Sequence, residues 1–430
     1  MTEADSERLR SVRRRLHRYP EPAWREFMTT SLLVDELETI GVDELAVGRD
    51  AIAAEHRMAV PSEEELEPWF ERAREAGARE DVLELTAGGH TGVVAVLRRG
   101  EGPSVGLRVD IDGLHCTESD DPDHVPAAEG FRSEHDGMMH ACGHDAHMTM
   151  GLGVLEAVKE SDFQGTFTVF FQPAEEEAGG GKAMAESPYA DGLDYLFGVH
   201  VGLNHPTGEV VAGMVEPLAM AHFTAEFEGT SAHAGKAPNT GANAILATAT
   251  AIQNLYTIPR HEDGMTRVNV GRMSGGSASN VIAEEASIFG EVRGETTALM
   301  EYMKREVERT LYAAAEMHDC DVDLTFVSES PRADSDPELA RVVQSVASEH
   351  PDVNSTPLHA PFGASEDATF LMERVQREGG LSTYAIVGTD HPTNHHTPTF
   401  DVDEASIGIG VDVLADAVLS VSRDGSVAAE

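Results

Sequence analysis

Five separated stretches of the chain carry side chains able to hold a divalent cation, and four of them stand at the end of an apolar run or the start of a helical one. The run Ser104 to Val109 leads into Asp110 and Asp112, and Thr166 to Phe171 leads into Gln172-Pro173-Ala174-Glu175-Glu176-Glu177. Leu193 to Val199 leads into His200, the loop His140-Ala141-Cys142-Gly143-His144-Asp145 opens a helical run, and the pair His395-His396 stands just before Thr397-Pro398. Short apolar runs bounded by turns read as strands buried on both faces. In open α/β sheets ligands gather outside the carboxyl ends of strands, so these groups are expected to converge on one crevice. Together they offer thiolate, imidazole and carboxylate, the ligand set of zinc-type ions. Each piece alone has an ordinary alternative. A single His is more often a satisfied surface or core residue, an acidic run is usually a solvated loop, and a cluster such as His140, His144 and His147 can be incidental. The recurrence of metal-competent side chains in unrelated segments shifts the balance. Five candidate ligands exceed what one tetrahedral ion needs, whereas two ions about 3.5 to 4 Å apart would use the surplus and suit hydrolysis.

The elements that must position these groups alternate between strand and helix. Residues 6 to 40 have helical period and end at Gly41, and Ser62 to Glu80 reads as a charged amphipathic helix ahead of a Gly88-Gly89 turn. The runs Gly92 to Leu97, Ser104 to Val109, Thr166 to Phe171 and Leu193 to Val199, with a helix from Asp145 to Lys159 among them, predict an α/β sheet. From Ala219 the texture changes to strand, helix Ala242 to Tyr256, two strands, a long helix Thr297 to His318 and strand Asp321 to Val327. That is an α+β unit of about 110 residues, large enough to be a domain. Helix Pro337 to Glu349 and strand Thr383 to Gly388 then return to α/β. The expected division is a discontinuous domain of residues 1–217 and 332–430, interrupted by an inserted domain of residues 218–331.

Composition excludes several partners. Across 430 residues, 76 Asp and Glu oppose 31 Lys and Arg, a formal charge of −45. Nucleic acid and anionic membrane are not expected partners, because phosphate binding needs a basic footprint. No apolar run approaches the roughly 20 residues of a membrane span, and the N-terminal sequence lacks a hydrophobic signal core, so the expected location is the cytoplasm. Three cysteines, Cys116, Cys142 and Cys320, make no disulfide framework and leave thiol or metal chemistry open for one or two of them. Only four cations are lysines against 27 arginines. So uniform an acidic excess reads as adaptation to a salt-rich cytoplasm, where screening at molar salt shortens the Debye length to about 3 Å; an ordinary acidic protein is the alternative.

The motifs GLRVDIDGL at 106–114, HACGHDAHMTMGLG at 140–153, FQPAEE at 171–176, GVH at 198–200 and GTSAHAGKAP at 229–238 resemble the M20 metallopeptidase family, in its subfamily of N-acyl-amino-acid and auxin-conjugate hydrolases. The resemblance covers nearly the whole chain. It implies a mixed-sheet, dinuclear-metal α/β hydrolase domain with an inserted α+β lid and dimerisation domain, and two divalent ions per subunit, zinc or manganese. The implied ligands are Cys142, bridging both ions, with His144, Glu176, His200 and His396; His395 competes with His396, and register with Phe400 favours the second. Glu175 would be the general base toward a metal-activated water, and Asp110 would orient the centre. The resemblance assigns His233 to the oxyanion, across a homodimer interface, and Asn280 and Arg293 to the substrate's carboxylate. Read without it, His233 fits a buried core residue, Asn280 a turn and Arg293 a surface cation. The segments 52–89, GASEDATFLMERVQ at 363–376 and NHHTPTFDVDE at 394–404 resemble the branch acting on aminobenzoyl-glutamate. The implied reaction is cleavage of such an N-acyl amino acid amide, another acyl specificity being the alternative. A second, different hydrolase subunit, or a metal-binding homologue without catalysis, is also consistent with the resemblance.

The charge makes one prediction. Melting temperature should climb steeply from dilute buffer to molar KCl as self-repulsion is screened, and a melting temperature flat across that range contradicts the salt-adapted reading.

Overall fold

Four parallel strands, each buried along most of its length, form the centre of the larger sheet and decide where its chemistry lies. In order they are Gly165–Gln172, Ser104–Asp110, Tyr195–Val201 and Leu381–Val387. Antiparallel strands flank them: Val93–Arg99 and then Glu44–Val47 on one side, Val210–Val211 on the other. The sheet is therefore mixed. All seven residues of Tyr195–Val201 are buried, so both faces are covered, as parallel strands require. The computed structural model describes residues 3–391 and 393–424.

The chain divides into two compact units, one of Met1–Val215, Ala333–Phe362 and Asp367–Glu430, the other of Glu216–Arg332 and Gly363–Glu366. Gly363–Glu366 joins the smaller unit through local hydrogen bonds: Leu218 N–H donates to Ala364 O at 2.9 Å, and the Ser330 and Ser365 hydroxyls donate to Glu366 O and Leu218 O at 2.7 and 2.8 Å. Within that unit, an antiparallel sheet runs Thr266–Gly275, Glu285–Gly294, Ala219–Glu228, Asp321–Ser330. Alternate residues of Glu285–Gly294 are buried, the signature of a sheet covered on one face. Phe223, Phe227, Ile288 and Val292 meet Met300, Met303, Val307 and Leu311 of helix Thr297–Met317 there. Each fully buried side chain of this kind contributes about 1.5–3 kcal/mol.

Several elements differ from the sequence reading. The helical stretch 6–40 is two helices, Glu3–His17 and Phe27–Ile40, because Pro20 and Pro22 interrupt it. The amphipathic helix starts at Glu63 with a capping box from Ser62 and Glu65, but stops at Glu75 before Gly77, and Glu80–Thr86 is a second helix. The C-terminal helix Ala405–Asp424 is, contrary to expectation, long and apolar enough to cross a membrane by length and composition. It carries Asp412 and Asp416 and buries Ile407, Val411, Leu414, Val418 and Val421 against the larger unit's core. Gly153 and Gly410 let it approach helix His144–Glu160: a Cβ at Gly153 would meet Val411 at 2.6 Å, and one at Gly410 would meet Met150 at 2.5 Å. Its apolarity is that of a core helix.

A buried polar cluster ties the N-terminal helix to the start of His144–Glu160. Arg13, 1% exposed, pairs with Asp145 at 2.7 Å and Asp401 at 2.6 Å. His17 lies 2.9 Å from Asp145 through Nδ1 and 3.0 Å from Glu118 through Nε2. Burial alone would lower the His17 pKa, but the hydrogen bonds to Asp145 and Glu118 raise it to about 9. A raised folded pKa gives stability that is full below the unfolded value near 6.5 and is lost as pH rises through 9, on the order of 3 kcal/mol here. Melting temperature should fall between pH 6.5 and 9, and His17→Gln should flatten that limb. An unchanged slope in the variant refutes the assignment.

Candidate metal centre

The carboxyl ends of the four central strands deliver the chemistry. Asp110 is the last residue of its strand, Glu175 and Glu176 follow Gln172 by a few residues, and His200 is the penultimate residue of Tyr195–Val201. The loop after Leu381–Val387 brings His396, whose backbone N–H donates to Ala141 O at 2.8 Å. Cys142 and His144 flank Gly143, which caps helix His144–Glu160 in the left-handed conformation at φ 88°. A Cβ there would meet Val201 Cγ2 at 2.5 Å, so both backbone and space demand glycine.

Two triads of donor atoms share one sulfur. Cys142, His144 and His200 form one; Cys142, Glu176 and His396 form the other; within each, the donor atoms lie within 4.8 Å of one another. Cys142 Sγ is 3.5 Å from His200 Nε2. With metal–sulfur and metal–nitrogen bonds of about 2.3 and 2.1 Å, a tetrahedral ion separates such ligands by about 3.5 Å. Glu176 lies 3.7 Å from His144 Nε2 through one oxygen and 3.7 Å from His396 Nε2 through the other.

The protonation chemistry fits a cation. His144 is fully buried, its Nδ1 3.3 Å from Asp112 and its Nε2 3.8 Å from Glu175, yet neither nitrogen makes an aligned hydrogen bond. Burial disfavours its charge, but Asp110, Asp112 and Glu176 hold His144 up to about 10: the surrounding acids call for positive charge at this ring. His200 is the opposite case, held well below the usual range by burial and the neighbouring His147. Its Nδ1 reaches Val201 O at 2.8 Å, which requires Nδ1–H and leaves the Nε2 lone pair facing Cys142. A cysteine sulfur, two imidazoles aimed by their surroundings and a carboxylate make a donor set suited to divalent ions of the zinc type.

His395 stands apart from both triads. Its Nε2 is 3.1 Å from Val201 O and its ring packs 4.5 Å from that of Phe400, so its polar atom is engaged by backbone while His396 faces Glu176.

His147, which the sequence reading treats as incidental, and Arg108, which it leaves unmentioned, brace the residues of the triads. His147 Nδ1 lies 2.6 Å from Asp110, and its Nε2 accepts the Val201 N–H at 2.9 Å. The second bond fixes the tautomer with the proton on Nδ1, directed at Asp110. The His147 ring stacks on His144 at 5.3 Å and meets His200 edge-on at 4.7 Å, so it lies against two rings of one triad. Asp110, held well below the usual carboxylate range by His144, His147 and Arg108 against the cost of burial, also accepts from Arg108 at 2.8 Å. Arg108 in turn donates to Asp367 at 3.0 Å and Gln172 at 2.9 Å. An arginine inside an apolar strand, and a His three residues after another on one helix, were the available signals.

The other expected site residues lie in the smaller unit. His233 is exposed, which removes the buried-core reading. It pairs with Val281 in a two-stranded ladder beside Asn280, whose carbonyl accepts the Ala234 N–H at 3.0 Å. The Gly235 N–H donates to His233 Nδ1 at 3.1 Å, so the ring presents its proton on Nε2. Arg293 is half-buried, and its guanidinium binds Glu291 at 3.1 and 3.2 Å.

The family model for peptidase family M20/M25/M40 matches residues 106–420. The chain belongs to this family. Among M20 relatives, a p-aminobenzoyl-glutamate hydrolase subunit of Escherichia coli (strain K12) is 39% identical over 418 residues, 96% of this chain and 95% of that one. Indole-3-acetyl-aspartic acid hydrolase of Enterobacter agglomerans is 40% identical over 408 residues, 94% and 93% of the two chains. The crystal structure of an aminobenzoyl-glutamate utilization protein from Klebsiella pneumoniae superposes with a TM-score of 0.83 at 34% identity, covering 97% of both chains. The expected family and mixed α/β fold agree with these findings.

The two triads sharing Cys142 make a prediction. Cys142→Ala should weaken Zn²⁺ or Mn²⁺ binding at both sites in equilibrium dialysis, whereas His200→Ala should weaken one. Two full equivalents bound tightly by Cys142→Ala would exclude a shared thiolate.

Proposed function

We propose that the chain is a metal-dependent amidohydrolase that cleaves the amide bond between an aromatic acyl group and an acidic amino acid, with p-aminobenzoyl-glutamate the leading substrate. The observation that carries the reading is the pair of donor triads sharing Cys142, with the Glu175 carboxylate beside them. The names of both hydrolase relatives join an aromatic acyl group to glutamate or aspartate. Cys142, His144, Glu176, His200 and His396 would hold two divalent ions, zinc or manganese; when bound, these supply Lewis acidity and lower the pKa of water.

The chain's own residues account for the rest. Glu175 is half-buried and points an oxygen to 3.8 Å from His144 Nε2, the position for a general base that takes the proton of the attacking water and returns it to the leaving nitrogen. Asp110 and His147 fix the ligand rings. His233, with its proton on Nε2, is the donor for the developing oxyanion. Asn280 and Arg293 would receive the substrate's carboxylate, Arg293 exchanging Glu291 for it through two parallel hydrogen bonds.

A homodimer is part of this reading. Strand Thr266–Gly275 is an edge of its sheet, with Met273 on it and Leu246 and Tyr256 of the same unit exposed. A long exposed edge is a template for pairing with another copy, and His233 of one chain would then act on its partner's metals. The Escherichia coli hydrolase is named as one subunit of its enzyme, which favours a second reading in which turnover also needs a different chain. Three cysteines outside any disulfide suit a reducing cytoplasm, and the charge a salt-rich one.

Glu175→Gln should keep its metals and lose about 10²- to 10⁴-fold in turnover of p-aminobenzoyl-glutamate at high salt. Loss of metal from Glu175→Gln, with retention by Glu176→Gln, would reverse the two roles. Amidating the substrate's α-carboxylate should cost most of the affinity. Refolding His233→Ala with Glu175→Gln should restore activity in mixed dimers, and silence in demonstrated heterodimers rules out action across the interface.

A further inference from the structure

The turn that presents Glu175 and Glu176 is held by a carboxylate 148 positions away. Glu26 is fully buried, and both its oxygens are used: Oε1 accepts the Ala174 N–H at 2.8 Å and Oε2 accepts the Thr91 hydroxyl at 2.5 Å. Its own backbone stands at the N-terminus of helix Phe27–Ile40, where its carbonyl accepts from Thr30 N and Oγ1 at 2.9 and 2.5 Å, so the side chain starts from a rigid base. Ala174 has a φ of 57°, a left-handed conformation that a non-glycine residue keeps only when its surroundings enforce it. Two residues on, the Glu176 N–H donates to Asp112 at 3.0 Å. Two buried carboxylates thus grip alternate peptide groups of Ala174-Glu175-Glu176, and the left-handed residue between strand and acids depends on the Glu26 anchor.

We infer that Glu26 is a positioning residue for this centre: by holding the Ala174 peptide it aims Glu176 at the donor triads and Glu175 beside them. The side chain acts through a hydrogen bond and not as a charge at the reacting atoms. Burial, with the Asp112 carboxylate adding to it, pushes Glu26 up to about 8, so a neutral amide is a close substitute. The inference rests on the amidohydrolase reading for its catalytic half and on ligation by Glu176 for the other.

Three variants in the full-length protein test it: Glu26→Leu, which removes both acceptors at similar volume; Glu26→Gln, which keeps an oxygen for Ala174; and Thr91→Val, which releases only Oε2. In the metal-saturated protein, Glu26→Leu should lower kcat for p-aminobenzoyl-glutamate by about 10- to 100-fold with KM changed by less than about threefold, and Zn²⁺ affinity by about tenfold, the usual scale for losing an outer support of a metal site. Glu26→Gln should return both to within about threefold of the parent, and Thr91→Val should fall between. A purely structural residue would lower melting temperature and leave kcat and Zn²⁺ affinity per folded molecule within about twofold; that result, or equal impairment of the Gln and Leu variants, overturns the inference. If Glu26→Leu does not fold, Thr91→Val and Glu26→Gln decide by the same measures. If the parent protein does not hydrolyse the substrate, the proposed function fails separately, and the Zn²⁺ affinities still judge Glu26.

Discussion

One sulfur atom sits at the meeting point of two triads of metal-competent donor atoms. Around Cys142, the sheet's carboxyl edge gathers three imidazoles and two glutamates, with Asp110 and Asp112 behind them. Buried acids and unbonded ring nitrogens at this density are costly unless positive charge is added. The rest of the larger unit can be understood as the scaffold that tolerates this concentration and aims it. Gly143 lets the Cys142 turn close against Val201, helix His144–Glu160 lies buried between sheet and C-terminal helix, and the chain Val201–His147–Asp110–Arg108–Asp367 fixes the His147 ring against His144 and His200.

Charge runs through every level of the molecule, with a different consequence at each. On the surface, arginines collect several acids each: Arg79 holds Asp35, Glu38 and Asp81, and Arg374 holds Glu186, Asp191 and Glu378. These exposed pairs are individually weak and screened by salt. In the interior, Arg13 and Arg108 are sealed from water, and each compensates more than one carboxylate, so removing either would strand buried charge.

The strand ends and the acids, thiol and histidines upon them were legible because strand boundaries and metal-competent side chains are written in consecutive residues. The change of texture at the inserted unit was equally local. Long-range partners were not. Nothing near Glu26 in sequence announces Ala174, and His147 reads as one more histidine until Asp110 and Val201 are seen beside it. Pro20 and Pro22 should have divided the first helical stretch, whereas the transfer of Gly363–Glu366 to the smaller unit depends on hydrogen bonds to Leu218 and Ser330 that no periodicity reveals. His395 and His396, adjacent in sequence, separate only in their contacts: the Val201 carbonyl engages His395, whereas His396 faces Glu176.

The most direct test of the shared thiolate is a titration of the metal-free protein with Co²⁺, followed by the sulfur-to-metal charge-transfer absorption that zinc, a closed-shell ion, does not give. If Cys142 serves both triads, the band should grow through two equivalents and vanish in Cys142→Ser. A band complete at one equivalent, with a second ion binding silently, would contradict the account.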